Sequence, residues 1–248
     1  YQYRQFDGFE CSDLCVFTCN STKKAFFDNA KKVFSKNKID SIKQKSVIWD
    51  FGFSQEEAMQ FYTIDKFDKK TIVFLNRLSL INYTHHEEFI AAVNELYAVR
   101  QDFQVVFTNP SQKVSWDELE QKVKPLFIYS RDSLTRKEYF NLLWKADISF
   151  HGFLIERYGG CSHRESIYCK NLPVTPKLYE YKQIQGNNYK FYTDDNFSNL
   201  KEKLNESLNY IDSNKNLSKS IDRKNLNSSF EKISDKVIRN IVECTNEK

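Results

Sequence analysis

The sequence predicts an α/β fold, a doubly wound, Rossmann-like parallel sheet with helices on both faces. Two observations carry that prediction. From residue 71 onward, short apolar runs alternate with amphipathic stretches of helical period, and several of the runs are apolar throughout, as strands buried on both faces are. Size agrees: 248 residues, 40% hydrophobic and 15% aromatic, can fill a sizeable core. No run of about 18 apolar residues occurs, so no spanning helix is expected and the chain reads as soluble. The opening YQYRQFDGFE is no signal peptide.

Taken in order, LCVFTCN (14–20) reads as a short buried strand, a helix follows over about 21–34, and KSVIWDFGF (45–53) is a strand ending in a turn at Gly52. QEEAMQFYTIDKFDKK reads as a polar bridge, and TIVFLNRL (71–78) as the first strand of a second domain. HHEEFIAAVNELYAVR (85–100) places Phe89, Ile90, Val93, Leu96 and Tyr97 on one helical stripe. Strands at 103–109, 125–130, 147–152 and 172–176 then alternate with helices at 115–123, 135–146 and 162–169. NYKFYTD (188–194) is a last strand, and two helices, NFSNLKEKLNESLNYID and SFEKISDKVIRNIVEC, close the chain. The domains expected are 1–68 and 69–248.

Net charge is only +4, too small to mark a nucleic-acid binder by itself. Eight lysines nevertheless fall between Lys23 and Lys45, among them Lys31, Lys32, Lys36 and Lys38, interleaved with Phe26, Phe27 and Phe34. This is either an amphipathic helix with a solvated lysine face or a basic surface turned toward an acceptor. Of the six cysteines, Cys11, Cys15 and Cys19 are spaced four apart, without the C-x2-C pair or nearby His of a zinc site. Buried thiols in an apolar strand and a reduced, cytoplasmic setting are expected, with no metal.

Ligands of open α/β sheets gather at the carboxyl ends of the strands. Arg77 leaves the strand at 71–76 there, where a guanidinium suits a phosphate or diphosphate; a surface salt bridge is the plainer alternative. In ERYGGCSHRESIYCKNLPV (156–174), Gly159 and Gly160 allow close backbone approach, and Ser162 is a good N-cap for the helix that follows. An anion could sit at that helix start beside Cys161, Ser162 and His163, whose charge would follow the anion. Glu165 could accept a pair of hydroxyl hydrogen bonds, as from a ribose. The plainer alternative is that the glycines form only a loop and Glu165 only complements the helix dipole. Neither G-x-G-x-x-G nor a Walker sequence is present.

The order of elements, over about residues 10 to 245, resembles the C-terminal nucleotide-sugar domain of GT-B glycosyltransferases. FLNRLSLINYTHHEEFIAAV resembles their hGRLs-x-x-K-G segment, and GGCSHRESIYCKNLPV their G-x-x-x-x-E-A-x-x-x-G-x-P-V. More narrowly, Ser162, His163, Glu165, Cys169, Leu172, Pro173 and Val174 form a pattern similar to phage α-glucosyltransferases that act on hydroxymethylcytosine in DNA. The resemblance implies a retaining transfer of a hexose from a nucleoside-diphosphate sugar, UDP-glucose foremost, with no obligatory cofactor. The acceptor would be a hydroxymethylated base of phage DNA, met by Lys31, Lys32, Lys36 and Lys38 in the host cytoplasm, or else a saccharide.

By the same resemblance Arg77 and Glu156 are catalytic, and Arg77, Gly159, Gly160, Cys161, Ser162, His163 and Glu165 hold the donor. Residues 1–68 look like the tail of an acceptor-side domain whose remainder would lie upstream. Three departures stand out. The family lysine after the Arg is Asn82, so a second cation would be Arg157 or Lys177; the glycine before LPV is Asn171, which can adopt a left-handed cap. Eight residues separate Glu156 from Glu165, one more than in the family's glutamate pair, so either the glycine turn carries an insertion or Glu156 is not catalytic. The competing expectation is a non-catalytic GT-B module that binds nucleotide or glycan or partners a catalytic subunit. A Rossmann oxidoreductase lacks its fingerprint.

Overall fold

Strand β3 (Lys70–Phe74) lies in the interior of a six-stranded parallel sheet, because Ile72, Val73 and Phe74 offer water no face at all. A computed structural model describes residues 2–49, 52–76, 78, 84–108, 116–125, 127–129, 134–154, 161–178, 181, 191–214, 235, 238, 239 and 242. The chain divides into two compact units, one containing the N-terminal segment through Phe53 and the other Ser54–Ile155 with Ser162–Asn227.

The first unit is a β-α-β step preceded by a helix. Strands β1 (Cys15–Phe17) and β2 (Ser46–Ile48) pair in parallel, Cys15 opposite Ser46. Helix α1 (Gln2–Cys11) was not expected, and it forms with the helix-weakening Gly8 inside it. The single helix expected over 21–34 is α2 (Asn20–Ala30), and a separate α3 (Lys36–Gln44) follows, with Ser35 at its N-cap. The Lys23–Lys45 stretch is therefore two helices. Phe17, Phe27, Ala30, Ile39 and Ile42 pack together, with Phe9, Phe26 and Phe34 half-buried against them. Cys15 is buried in β1, but Cys19 caps α2, its Sγ accepting from Thr22 N, and Cys11 is exposed at the end of α1. The thiols thus do not share one strand.

In the second unit the stretch read as a polar bridge holds α4 (Gln55–Gln60), started by Ser54 Oγ, which accepts from Glu57 N at 3.0 Å. After β3 come α5 (His86–Tyr97), β4 (Phe103–Phe107), α6 (Trp116–Lys122), β5 (Phe127–Tyr129), α7 (Arg136–Lys145), β6 (Ile148–Phe150), α8 (Cys161–Tyr168), β7 (Leu172–Pro176), β8 (Tyr192–Thr193) and α9 (Leu200–Ser213). Of the last helix expected, only Asp235, Ile238, Arg239 and Val242 are described, all helical. The sheet order is β5-β4-β3-β6-β7-β8 with every pairing parallel. Counted within the sheet this is 3-2-1-4-5-6, the dinucleotide-fold order, whose direction reverses between β3 and β6. Phe89 of α5 holds that reversal together, packing on Phe74, Phe107 and Phe150 at ring distances of 5.1, 5.9 and 5.1 Å. Helix α8 ends in a Schellman turn, but the left-handed residue is Lys170 (φ 70°), not Asn171; Asn171 instead donates its Nδ2 to Leu143 O. None of the described helices is long and apolar enough to cross a membrane.

At the amino ends of the strands, Arg100 forks onto Asp102 (2.8 and 2.7 Å) and reaches Asn209 (2.7 Å) and Asp212 (3.2 Å) of α9, while Lys70 pairs with both aspartates. Hydrogen bonding from Arg100 first, then from Lys70, holds Asp102 far below the ordinary carboxylate range; Lys70 foremost does the same, less strongly, for Asp212. A depressed folded pKa means stability that is present above the unfolded value of about 3.9 and lost as pH falls through the folded one. Both carboxylates are about half exposed, so the gain is small. Arg100→Ala is expected to destabilise by about 1 kcal/mol at neutral pH, less at high salt, and by progressively less below about pH 4. A pH-independent loss in urea titrations would refute the network.

Candidate functional site

The reversal between β3 and β6 puts residues 75–76 and 151–152 side by side at the carboxyl ends of adjacent strands. Phe74 lies opposite Phe150, and Leu75 N still donates to Phe150 O. Gly152 passes so near the other backbone that a Cβ there would fall 2.2 Å from Thr84 O. Around this point Asn76 Oδ1, Thr84 Oγ1 and His151 Nε2 are buried with no hydrogen-bond partner among the described residues. Buried polar atoms are almost always paired, so three at one strand-end reversal mark a place built to meet a polar group.

His151 is 3% exposed, and its ring meets those of His163 at 4.7 Å and Tyr181 at 6.1 Å. Burial pushes the His151 imidazole down to about 3 and, with His151 beside it, pushes His163 well below its ordinary value. Burial thus disfavours the charged form of both rings, so an anion that draws a charge onto His163 would do so against that cost.

Helix α8 begins at Cys161, so Ser162 lies inside its first turn and does not cap it. Ser166 Oγ fixes the helix on the sheet through Ser149 Oγ, at 3.0 Å. Glu165, 5% exposed, receives Arg136 Nη2 on Oε1 at 2.9 Å. Burial raises its carboxyl above the usual range, and Arg136 opposes that rise. Tyr139 lies beside it, its phenol raised by burial and then by the charge of Glu165.

Of the residues singled out in the sequence, Cys161, Ser162, His163 and Glu165 come together on α8. Lys177 follows β7, exposed at a strand's carboxyl end. Arg77, Asn82, Glu156, Arg157, Gly159 and Gly160 lie outside the described residues. Lys31 and Lys38 are engaged by Asp28 (3.1 Å) and Glu10 (2.9 Å), and Lys32 by Asn29 Oδ1 (3.1 Å). Asn76, Thr84, His151 and Arg136 were missed. His151 was available, since DISFHG ends an apolar run with a histidine and a glycine where strand-end ligands gather; Arg136 looked like an ordinary first-turn helix residue.

No family model matches the chain, and no curated protein matches it in sequence. Its fold is similar to those of an α,α-trehalose 6-phosphate synthase from Burkholderia multivorans (TM-score 0.75, 10% identity, 98% of this chain and 62% of that one) and a glycosyltransferase from Rickettsia africae (0.71, 16%, 95% and 65%). A third similar structure is that of Anabaena HepE in complex with UDP and glucose (0.65, 13%, 93% and 63%). The chain spans less than two thirds of the length of each. At these identities the likeness concerns architecture, and the architecture is the α/β fold of the GT-B glycosyltransferases.

Proposed function

We propose that this chain carries the donor-binding part of a GT-B glycosyltransferase, transferring a hexose from a nucleoside-diphosphate sugar, UDP-glucose foremost, to an acceptor. The observation that carries the reading is the β3/β6 reversal, where Asn76 Oδ1, Thr84 Oγ1 and His151 Nε2 meet no hydrogen-bond partner among the described residues, and, on the neighbouring α8, a buried carboxylate at Glu165. UDP is favoured as the nucleotide because similar folds include UDP-forming synthases and complexes with UDP and glucose or UDP-2-fluoro glucose.

Within this reading the amides at Gly159, Gly160 and Cys161, with Ser162 and His163, receive the diphosphate, Glu165 takes the ribose hydroxyls, and Arg77 neutralises the departing charge. Neutral His151 and His163 supply hydrogen bonds and no net charge. Chemistry of this kind is electrostatic and needs no metal, and Glu156 is the candidate for the remaining catalytic group of a retaining transfer. The acceptor is a saccharide or a hydroxymethylated base; the pairing of Lys31 and Lys38 with acidic neighbours favours the saccharide.

UDP or its sugar is expected to raise the melting temperature by mass action. Glu165→Ala should weaken UDP binding by about 1–3 kcal/mol, and Glu165→Gln, which keeps the shape, should also weaken it. Calorimetry with UDP, GDP and ADP, followed by UDP-release assays on saccharides and modified DNA, tests the proposal. Unchanged affinity in both variants removes Glu165 from the ribose, and tight UDP binding without transfer to any acceptor identifies a non-catalytic module.

A further inference from the structure

Arg136, in the first turn of α7, is held on three sides. Its Nη2 donates to Glu165 Oε1 at 2.9 Å, and its Nε and Nη2 fork onto Glu57 of α4 at 3.1 Å (Oε1) and 2.9 Å (Oε2). The guanidinium lies over the Phe140 ring at 4.5 Å and the Tyr139 ring at 5.6 Å. A planar fork bonded through Nε and Nη2, with a face over aromatic rings, keeps little freedom to turn. The two carboxylates it joins differ in depth, since the Glu165 side chain is 7% exposed and that of Glu57 33%. A purely structural brace would have no need of the deeper one, because burying a charge costs free energy that its partner must offset.

We propose that Arg136 is a positioning residue that fixes the buried Glu165 carboxylate in one orientation to receive a vicinal diol, with Glu57 anchoring the guanidinium. This rests on the donor reading above and narrows it: the ligand recognised is a ribonucleoside diphosphate, and a 2′-deoxyribonucleoside diphosphate is rejected. The charges facing Glu165 are Arg136 of α7, favourable, and Glu57 of α4, unfavourable, with the Tyr139 phenol beside them. Burial raises the Glu165 carboxyl and Arg136 brings it down, so removing Arg136 raises it further. Its protonated form, which accepts fewer hydrogen bonds, would then persist to higher pH.

The test is calorimetric titration of the chain with UDP and with 2′-deoxy-UDP across pH. The unaltered chain is expected to prefer UDP, and Glu165→Gln to lose the preference. Arg136→Ala should lose about tenfold in UDP affinity, and its affinity should begin to fall at a higher pH as the solution is acidified. Arg136→Lys should recover the pH profile, which needs a charge, more fully than the affinity, which needs the fork. The double variant Arg136→Ala/Glu165→Gln should bind no more weakly than Glu165→Gln alone, because both act through one carboxylate. If Arg136→Ala and Arg136→Lys keep the preference for UDP and the original pH profile while only the melting temperature falls, Arg136 is a brace and the inference is overturned. The donor reading fails separately, if Glu165→Gln itself changes nothing; a chain that binds neither nucleotide sinks both.

Discussion

Arg77→Ala is expected to lower sugar-transfer turnover by about two to three powers of ten, equivalent to roughly 3–4 kcal/mol of transition-state stabilisation. Arg77 directly follows Asn76, the buried residue with which the chain leaves β3 beside the reversal of strand order. In the transfer proposed here the diphosphate gains negative charge as the bond to the sugar breaks, so a guanidinium at that point would act more strongly on the transition state than on the bound donor. The effect should accordingly fall on kcat more than on the affinity for UDP, with the melting temperature little changed. Arg77→Lys should recover only part, since a point charge replaces a fork that can hold two phosphate oxygens. Ordinary turnover in Arg77→Ala would make it a surface residue and move the neutralising charge to Arg157 or Lys177.

The sheet was legible in the sequence because its longer strands are apolar at most positions, as in TIVF and FQVVF, and because the helix after β3, α5, carries one apolar stripe. Helices α1 and α4 were not. The first has Gly8 in its middle, and the second is a six-residue helix whose only buried residue is Ala58, too short to show a period. Lys23–Lys45 looked like one amphipathic helix because lysines interleave with Phe26 and Phe27 in α2 and with Ile39 and Ile42 in α3, and only Ser35 marks the restart. At the candidate site, the gathering of Cys161, Ser162, His163 and Glu165 could be read from consecutive residues of one helix. What joins Arg136 to Glu165 and Glu57 could not, since the three are 79 and 29 positions apart and meet only once α4, α7 and α8 have packed. The same holds for Asn76 Oδ1, Thr84 Oγ1 and His151 Nε2, whose burial with no hydrogen-bond partner among the described residues belongs to the folded state alone.

Gly152→Ala is expected to be strongly destabilising although it adds a single methyl group. The new Cβ would lie 2.2 Å from Thr84 O and 3.1 Å from Thr84 C, and both belong to backbone, which cannot rotate aside as a side chain could. Retreat of the facing segment is hindered as well. Thr84 is fully buried, and His85 already sits at φ 55°, a left-handed conformation uncommon for a residue with a side chain, with its ring 4.5 Å from that of Phe197 and its Nδ1 3.1 Å from Glu88 Oε1. Forcing the two segments apart should cost about 2–3 kcal/mol, a fall in melting temperature of roughly 4–12 °C for a chain of this length. Because they part at the β3/β6 reversal, UDP affinity should fall below the unfolding range too, and Gly152→Val should be worse on both counts. Gly8→Ala is the control: no atom lies within 4 Å of its Cβ position in α1, so the change should stabilise that helix by about 0.5–1 kcal/mol. Differential scanning calorimetry of both variants decides the matter. A Gly152→Ala protein that melts with the unaltered chain and binds UDP equally well would mean that Thr84 yields freely, and that the close approach is not needed to form the site.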